Sequence, residues 1–273
     1  MPRYRHAVLG GTFDHFHVGH AALLHRAFHA GLRVSIGVTT DRFLAEHPKP
    51  AADQLQPYAT RRRAVVRWAK AHYPRRTVRV VPLENRFGRS IEEGVDVLVV
   101  SADTRSGGRA VNAERRRLGR RSIPLEVVPV VLADDLRPVS SRRIRSLEID
   151  REGRRVAPLK IGLAVSDRRD ALPACAAIRR VFPSAVLRIR PVEPDRTGGP
   201  RAIARARALA REAVEASDLG IGVARHRRGD WEIAESSPEI GLGPRWVRAG
   251  SAATLRSAMV RLLRPGLRNA STE

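Results

Sequence analysis

Two histidines three residues apart, His17 and His20, follow a glycine pair in the stretch Val8-Leu9-Gly10-Gly11-Thr12-Phe13-Asp14-His15-Phe16-His17-Val18-Gly19-His20. The order reads as an apolar strand end, a glycine turn and the opening of a helix. Gly10 and Gly11 carry no Cβ, so they predict a sharp turn that a ligand can approach closely. From His17 to Ala30 the positions Val18, Ala21, Leu24, Ala27 and Phe28 recur on one helical face. His17 and His20 then share a side of the first turn. That turn offers unpaired N–H groups and the positive end of the helix dipole, a setting that suits phosphate. The two imidazoles would add donors toward the same anion. A metal pair is the poorer reading, because two histidines with no third ligand nearby make an incomplete site. No G-x-x-x-x-G-K-[ST] loop occurs, and no G-x-G-x-x-G follows the strand.

The elements that must hold this loop alternate along the chain. Strands are expected at Arg5 to Leu9, Val34 to Thr39, Thr77 to Leu83, Val95 to Val100 and Leu125 to Val131. Helices are expected at Tyr58 to His72 and Arg109 to Leu118. Asp41 to Pro57, punctuated by Pro48, Pro50 and Pro57, reads as a loop. Such alternation implies a parallel sheet with right-handed crossovers, whose ligands bind beyond the strand C-termini. The polar run Leu147 to Pro158 reads as a linker. A second α/β unit follows, with strands at Lys160 to Val165, Ala185 to Arg190, Leu219 to Val223 and Trp231 to Ala234. Its helices are expected at Ala171 to Val181, Ala202 to Ala216 and Ala252 to Leu263. The domains expected are therefore 1–150 and a smaller one at 159–265, in keeping with 273 residues.

Composition narrows the class. Apolar residues make up 42% of the chain and aromatics only 4%, so the cores must rest on Val, Leu, Ile and Ala. The single cysteine, Cys175, excludes an internal disulfide and suits a reducing compartment. No leader-like apolar run opens the sequence and no run of 18 apolar residues occurs, so a cytoplasmic protein without a membrane span is expected. The formal net charge is +23. It is spread evenly over both halves, is carried by arginine with only three lysines, and forms no basic tail. This disfavours a dedicated nucleic-acid site, while the field would still steer anionic substrates. Self-association is left open.

The run Gly11-Thr12-Phe13-Asp14 followed by His17-Val18-Gly19-His20 resembles the nucleotidylyltransferase superfamily, marked by G-T-F-D and H-x-G-H. Three further segments look like the archaeal and eukaryotic type of phosphopantetheine adenylyltransferase. They are Gly37-Val38-Thr39-Thr40-Asp41 with Pro57-Tyr58-Ala59-Thr60-Arg61; Val100-Ser101-Ala102-Asp103-Thr104 with Gly107-Gly108 and Asn112; and Ser140-Ser141-Arg142-Arg143-Ile144-Arg145. Asp103 replaces a usual Glu and Arg142 a usual Thr. The resemblance covers about residues 4–152 and implies a Rossmann-like fold.

It also implies transfer of AMP from ATP to 4′-phosphopantetheine, giving dephospho-CoA and pyrophosphate. On the same basis His17, His20 and Lys49 are the expected catalytic residues. Gly10, Gly11, Thr12, Phe13, His20, Ser140, Ser141 and Arg145 would contact ATP. Thr12, Lys49 and Arg61 would hold the acceptor, and Mg²⁺ would accompany the nucleotide. FMN or a polyol phosphate is the alternative acceptor, and a polyanion-binding protein that has lost catalysis is the other alternative. Residues 160–243 resemble the inosine/xanthosine triphosphatase family through Val165-Ser166, the Arg/Ala-rich helix from Gly199 and Ser217-Asp218-Leu219-Gly220-Ile221-Gly222. The expected Asn, Lys and acidic residue of that family are Arg168, Ala171 and Ala224 here. A degenerate accessory domain is therefore implied, with Asp218 structural.

Overall fold

The computed structural model describes residues 2–47, 54–135, 137–190, 202–215, 217–225, 231–236 and 246–249. They form two compact units, one built from Met1–Ala133 and Pro138–Val156, the other from Asp134–Arg137 and Ala157–Glu273.

The first unit holds a five-stranded parallel sheet. Strands β1 (Tyr4–Gly11), β2 (Gly31–Thr39), β3 (Thr77–Leu83), β4 (Val97–Ser101) and β5 (Leu125–Val128) lie in the order β3-β2-β1-β4-β5. This is the doubly wound arrangement, and its crevice lies where the strand order reverses at the C-terminal edge of β1 and β4. Helix α1 (Val18–Ala30) and helix α3 (Tyr58–His72) cover one face. There Leu9, Phe13, Leu24, Phe28, Ile36, Val38, Val65 and Val99 form the core. Helix α4 (Arg105–Arg117) covers β4 and β5 on the other face, where Val8, Leu98, Val100, Val111 and Ile123 pack.

Three expectations are corrected. The segment after Thr39 is not all loop: α2 (Asp41–Glu46) forms because Thr40 Oγ1 accepts the Phe43 N–H at 3.2 Å and Leu44 is buried. Helix α4 starts four residues before Arg109, since Ser101 and Thr104 close a capping box ahead of it. Its Gly108 lies against the sheet, where a Cβ would stand 3.2–3.3 Å from Leu125 and Val100. The run expected as a linker belongs to the first unit up to Val156. Ile149 is 1% exposed and packs with Ala133, Val139 and Ile144. The chain reverses there through Gly153, at φ +86° and with no room for a Cβ beside Val139.

In the second unit β6 (Lys160–Val165), β7 (Val186–Arg190), β8 (Leu219–Arg225), β9 (Trp231–Ser236) and β10 (Trp246–Ala249) form a mixed sheet, ordered β10-β9-β8-β6-β7. Only β8-β9 and β9-β10 pair antiparallel. Strand β10 has no counterpart in the sequence reading. The helix expected at Ala252 to Leu263 lies outside the described residues. Helix α6 (Ala171–Val181) buries Ala174, Cys175, Ala177 and Ile178 against one face, so Cys175 acts as a small apolar side chain whose thiol pKa burial raises. Helix α7 (Ala202–Ala213) lies on the other face, over Ala164, Ala224 and Ala234. Asp218 ties strand ends together: its carboxylate accepts the Lys160 N–H at 2.8 Å and its N–H donates to the Lys160 carbonyl at 2.8 Å.

Candidate active site

The loop between β1 and α1 turns at different residues from those expected. Gly10 and Gly11 finish β1 as ordinary strand. The left-handed positions are Phe13 (φ 54°) and His15 (φ 43°). Each costs about 1–2 kcal/mol for a residue with a Cβ, and the surroundings hold them there. Phe13 is fully buried in the core under α1. Gly11 makes room for that ring, since a Cβ on it would stand 3.2 Å from Phe13. Gly10 pairs in register with Gly37 of β2, and Leu83 leans over both.

Asp14 is the hub of the loop. It is 1% exposed. Arg145 of α5 (Ser141–Arg145) donates to Asp14 Oδ2 at 2.5 Å, the Gln56 N–H donates to Oδ1 at 2.9 Å, and His15 Nδ1 lies 3.1 Å from Oδ1. The Ser141 hydroxyl donates to the Asp14 carbonyl at 2.6 Å. Three chain segments, the loop itself, Gln56 and α5, thus meet on one residue. A buried, hydrogen-bonded pair of this kind fixes geometry, and breaking it leaves a charge uncompensated. Arg145 is 8% exposed at its side chain, and its buried Nε has no partner among the described residues. Ser140 caps α5, its hydroxyl accepting the Arg143 N–H. Arg143 is structural, donating to Glu148 at 2.9 Å and to the Pro138 carbonyl at 3.0 Å. Arg142, the departure from the family pattern, is exposed.

Arg61 has a job that the sequence did not suggest. It is neither a surface charge nor open to an acceptor, because it is completely buried. Its Nε donates to the Gln56 carbonyl at 2.7 Å, Nη1 to the carbonyls of Thr12 (2.9 Å) and Thr39 (2.8 Å), and Nη2 to Asp41 at 2.6 Å. The guanidinium therefore braces the loop and the end of β2 from behind. Lys49 lies outside the described residues.

His17 is the N-cap of α1. Its Nδ1 accepts the Gly19 N–H at 3.1 Å, so the proton of the neutral ring sits on Nε2. Burial lowers its pKa to about 4. At neutral pH His17 is an uncharged N–H donor. The Val18 N–H donates to the Arg151 carbonyl at 3.0 Å. Two first-turn N–H groups expected to face an anion are thus used within the protein. The His17 and His20 rings stack with centroids 3.8 Å apart, and Phe13 and Phe16 flank His20 at 5.2 and 5.6 Å.

Beside this loop a cavity of about 250 Å³ opens over Gly10 and Gly37, walled by Leu83, Phe87, Val100 and Gly107. Asn112, singled out by its motif, lies farther along α4 and clamps both backbone groups of Ile123 at 2.9 Å.

Comparison with known proteins places this architecture. Residues 8–147 match the cytidylyltransferase-like family. The chain belongs to that family. A phosphopantetheine adenylyltransferase of Methanopyrus kandleri is 40% identical over 151 residues, which cover 55% of this chain and 94% of the relative. The enzyme of the same name from Pyrococcus horikoshii is 33% identical over 159 residues, 58% of this chain and 99% of its own. A bifunctional phosphopantetheine adenylyltransferase/NTP phosphatase of Thermoplasma volcanium is 34% identical over 161 residues, 59% of this chain and 48% of that one. A solved structure of a protein of unknown function from Archaeoglobus fulgidus is 32% identical, with a TM-score of 0.40, covering 45% of this chain and 87% of that chain.

Proposed function

We propose that the first unit transfers AMP from ATP to 4′-phosphopantetheine, releasing pyrophosphate and forming dephospho-CoA in coenzyme A synthesis. An acceptor phosphate oxygen attacks the α-phosphorus in line, and the bond from the α-phosphorus to the bridging oxygen breaks. The nucleophile is already an anion, so the protein needs no covalent intermediate. Its work is to position the groups and stabilise developing charge. The observation that carries this reading is the clamped loop: Asp14, Arg145 and Arg61 hold His17 and His20 at the C-terminal end of β1, next to a mostly apolar cavity. His17 donates through Nε2 and His20 acts beside it on the nucleotide phosphates. Thr12, with Lys49, takes the acceptor phosphate, and the cavity over Gly10 and Gly37 takes the uncharged arm. Ser140, Ser141 and Arg145 border the nucleotide side.

Mg²⁺ enters with ATP as part of the substrate. The Asp14 carboxylate is spent on protein donors, and among the described residues no cluster of three His, Cys, Asp or Glu forms a metal site. The cation is then held by phosphates and water.

Identity with the named relatives supports phosphopantetheine as acceptor over FMN or a polyol phosphate. The test is pyrophosphate release by the full-length protein with MgATP and each acceptor in turn. Release with 4′-phosphopantetheine alone is expected. Release only with FMN or glycerol 3-phosphate would move the acceptor assignment, and silence with all three would favour a protein that binds polyanions without catalysis.

The second unit is read as an accessory domain descended from a nucleoside triphosphatase. Ala224 stands where a catalytic carboxylate is expected. Glu232 lies opposite it in the β8-β9 register, yet is fully buried on the face that α7 covers. The full-length protein is expected not to hydrolyse ITP at an enzymatic rate.

A further inference from the structure

The sheet face that carries Gly10 and Gly37 changes character toward the other end of its strands. A second cavity, of about 190 Å³, opens there, lined by His6 of β1, Arg33 and Ser35 of β2, Thr77 and Arg79 of β3, and Arg89. Strand alternation explains the set. Val34, Ile36, Val78 and Val80 turn into the core under α1 and α3, so their neighbours turn to the opposite face. Parallel sheets of this kind usually bury apolar residues on both faces. Here one face carries hydroxyls and guanidinium groups on β2 and β3 and an imidazole on β1 instead.

Three arginines converge on this cavity. Arg89 reaches Glu92 through Nη2 at 2.7 Å, while its buried Nε has no partner among the described residues. Among the described residues no carboxylate pairs with Arg33 or Arg79. His6 adds no charge. Its Nδ1 lies 3.1 Å from the Gly94 carbonyl and its Nε2 2.9 Å from Ser35 Oγ. Burial, with Arg33 and Arg89 near, holds its pKa below the usual value. Asp96, the other acid nearby, accepts the His6 backbone N–H at 2.8 Å. The cavity is therefore left cationic, with hydroxyl and guanidinium donors around it, which is the donor set that an oxyanion needs.

We propose that this cavity is an oxyanion site, formed by Arg33, Arg79 and Arg89 with Ser35 and Thr77, and distinct from the nucleotide phosphate loop. His6 and Gly11 lie five strand residues apart, roughly 16 Å at the usual rise, too far for one phosphate to serve both ends. The anion is either free phosphate or the negative end of an extended ligand lying along the sheet. Ser35 and Arg89 also line the larger cavity, so the two cavities are neighbours that share these residues. The second source rests on the acceptor assignment proposed above.

The experiment uses the full-length protein with a saturating non-hydrolysable ATP analogue in the nucleotide loop. Inorganic phosphate is titrated calorimetrically into wild type, the Arg33→Ala/Arg79→Ala double variant, and Arg79→Lys. Arg33 and Arg79 are exposed, so the variants should fold, and unchanged affinity for the analogue checks that they do. In parallel, kcat/KM is compared for 4′-phosphopantetheine and the same acceptor bearing a carboxylate beside its thiol. Phosphate binding that weakens at least tenfold in the double variant and less in Arg79→Lys supports the site with free phosphate. A preference for the carboxylated acceptor that the double variant loses supports it with an extended ligand. If neither binding nor preference depends on Arg33 and Arg79, the proposal is overturned. If no acceptor yields pyrophosphate, the proposed reaction fails, and the phosphate titration alone decides the cavity.

Discussion

Glycines lie on the sheets of both units, and the structure uses them in opposite ways. In the first unit Gly10 and Gly37 leave space over the sheet, into which the Leu83 side chain leans, and a cavity opens there. In the second, Gly162, Gly220 and Gly222 are closed over by the backbone of α7. A Cβ on them would stand 1.8, 2.1 and 2.0 Å from the carbonyl oxygens of Ala213, Ala210 and Ala206. A glycine repeat in a strand is therefore no sign of a ligand by itself. In the second unit the Gly-Ile-Gly run is how an alanine-rich helix sits directly on a sheet. In the first, the glycines keep a cavity open. The same residue type serves packing in one unit and access in the other.

The largest effect should come from filling the closed side. Gly220→Val forces a side chain into the α7 backbone, which cannot yield as a flexible side chain would. Overpacking typically costs about 1–3 kcal/mol, and a backbone clash this short should exceed that range. Hydrogen exchange should show lost protection in β6, α7 and β8 while β1 to β5 stay protected; equal protection in both units would contradict this role for Gly220. In the first unit the strongest structural effect should come from the hub. Asp14→Ala strands Arg145 without its buried partner, at a cost of about 3–5 kcal/mol, seen as a lower midpoint in chemical denaturation together with lost activity.

Acid should act on the first unit through His17. Its folded pKa, about 4, lies below the unfolded value of 6.5. Protonation therefore favours the unfolded chain, and the stability gained from neutral His17 is present above pH 6.5 and lost as pH falls toward 4. The shift corresponds to about 3 kcal/mol at most. His17→Asn, which can still cap the helix, should flatten that part of the stability profile; an unchanged profile would contradict the assignment. The smallest effect should come from filling the open side. Gly37→Val presses on Leu83, a side chain that can move. It should raise the acceptor KM about tenfold, worth about 1.4 kcal/mol, with kcat and the unfolding midpoint nearly unchanged.

Much of this fold was legible locally. Helix α3, strand β3, strand β6 and helix α6 begin and end at the residues that periodicity and breakers indicate. The motif also marked a loop that the fold brings to the C-terminal end of β1. What sequence could not reveal was the bracing behind it. Arg145 meets Asp14 across 131 residues and Arg61 meets Thr12 across 49, so no local pattern signals either contact. Arg61 therefore read as a ligand residue or a surface charge when it is neither. The short helix α2 was hidden because six residues between a threonine and a proline-rich run give too few turns for a periodic signal. Ile149, lone among charged neighbours, gave no hint that its segment packs into the first unit.

The proposed reaction requires His20 to act at the nucleotide phosphates. The direct measurement is the steady-state rate of pyrophosphate release by His20→Ala, with MgATP and 4′-phosphopantetheine saturating and its fold checked by circular dichroism. A fall of at least about 100-fold in kcat is expected, the scale for removing one preorganised transition-state donor. A folded His20→Ala protein that released pyrophosphate at nearly the wild-type rate would contradict it.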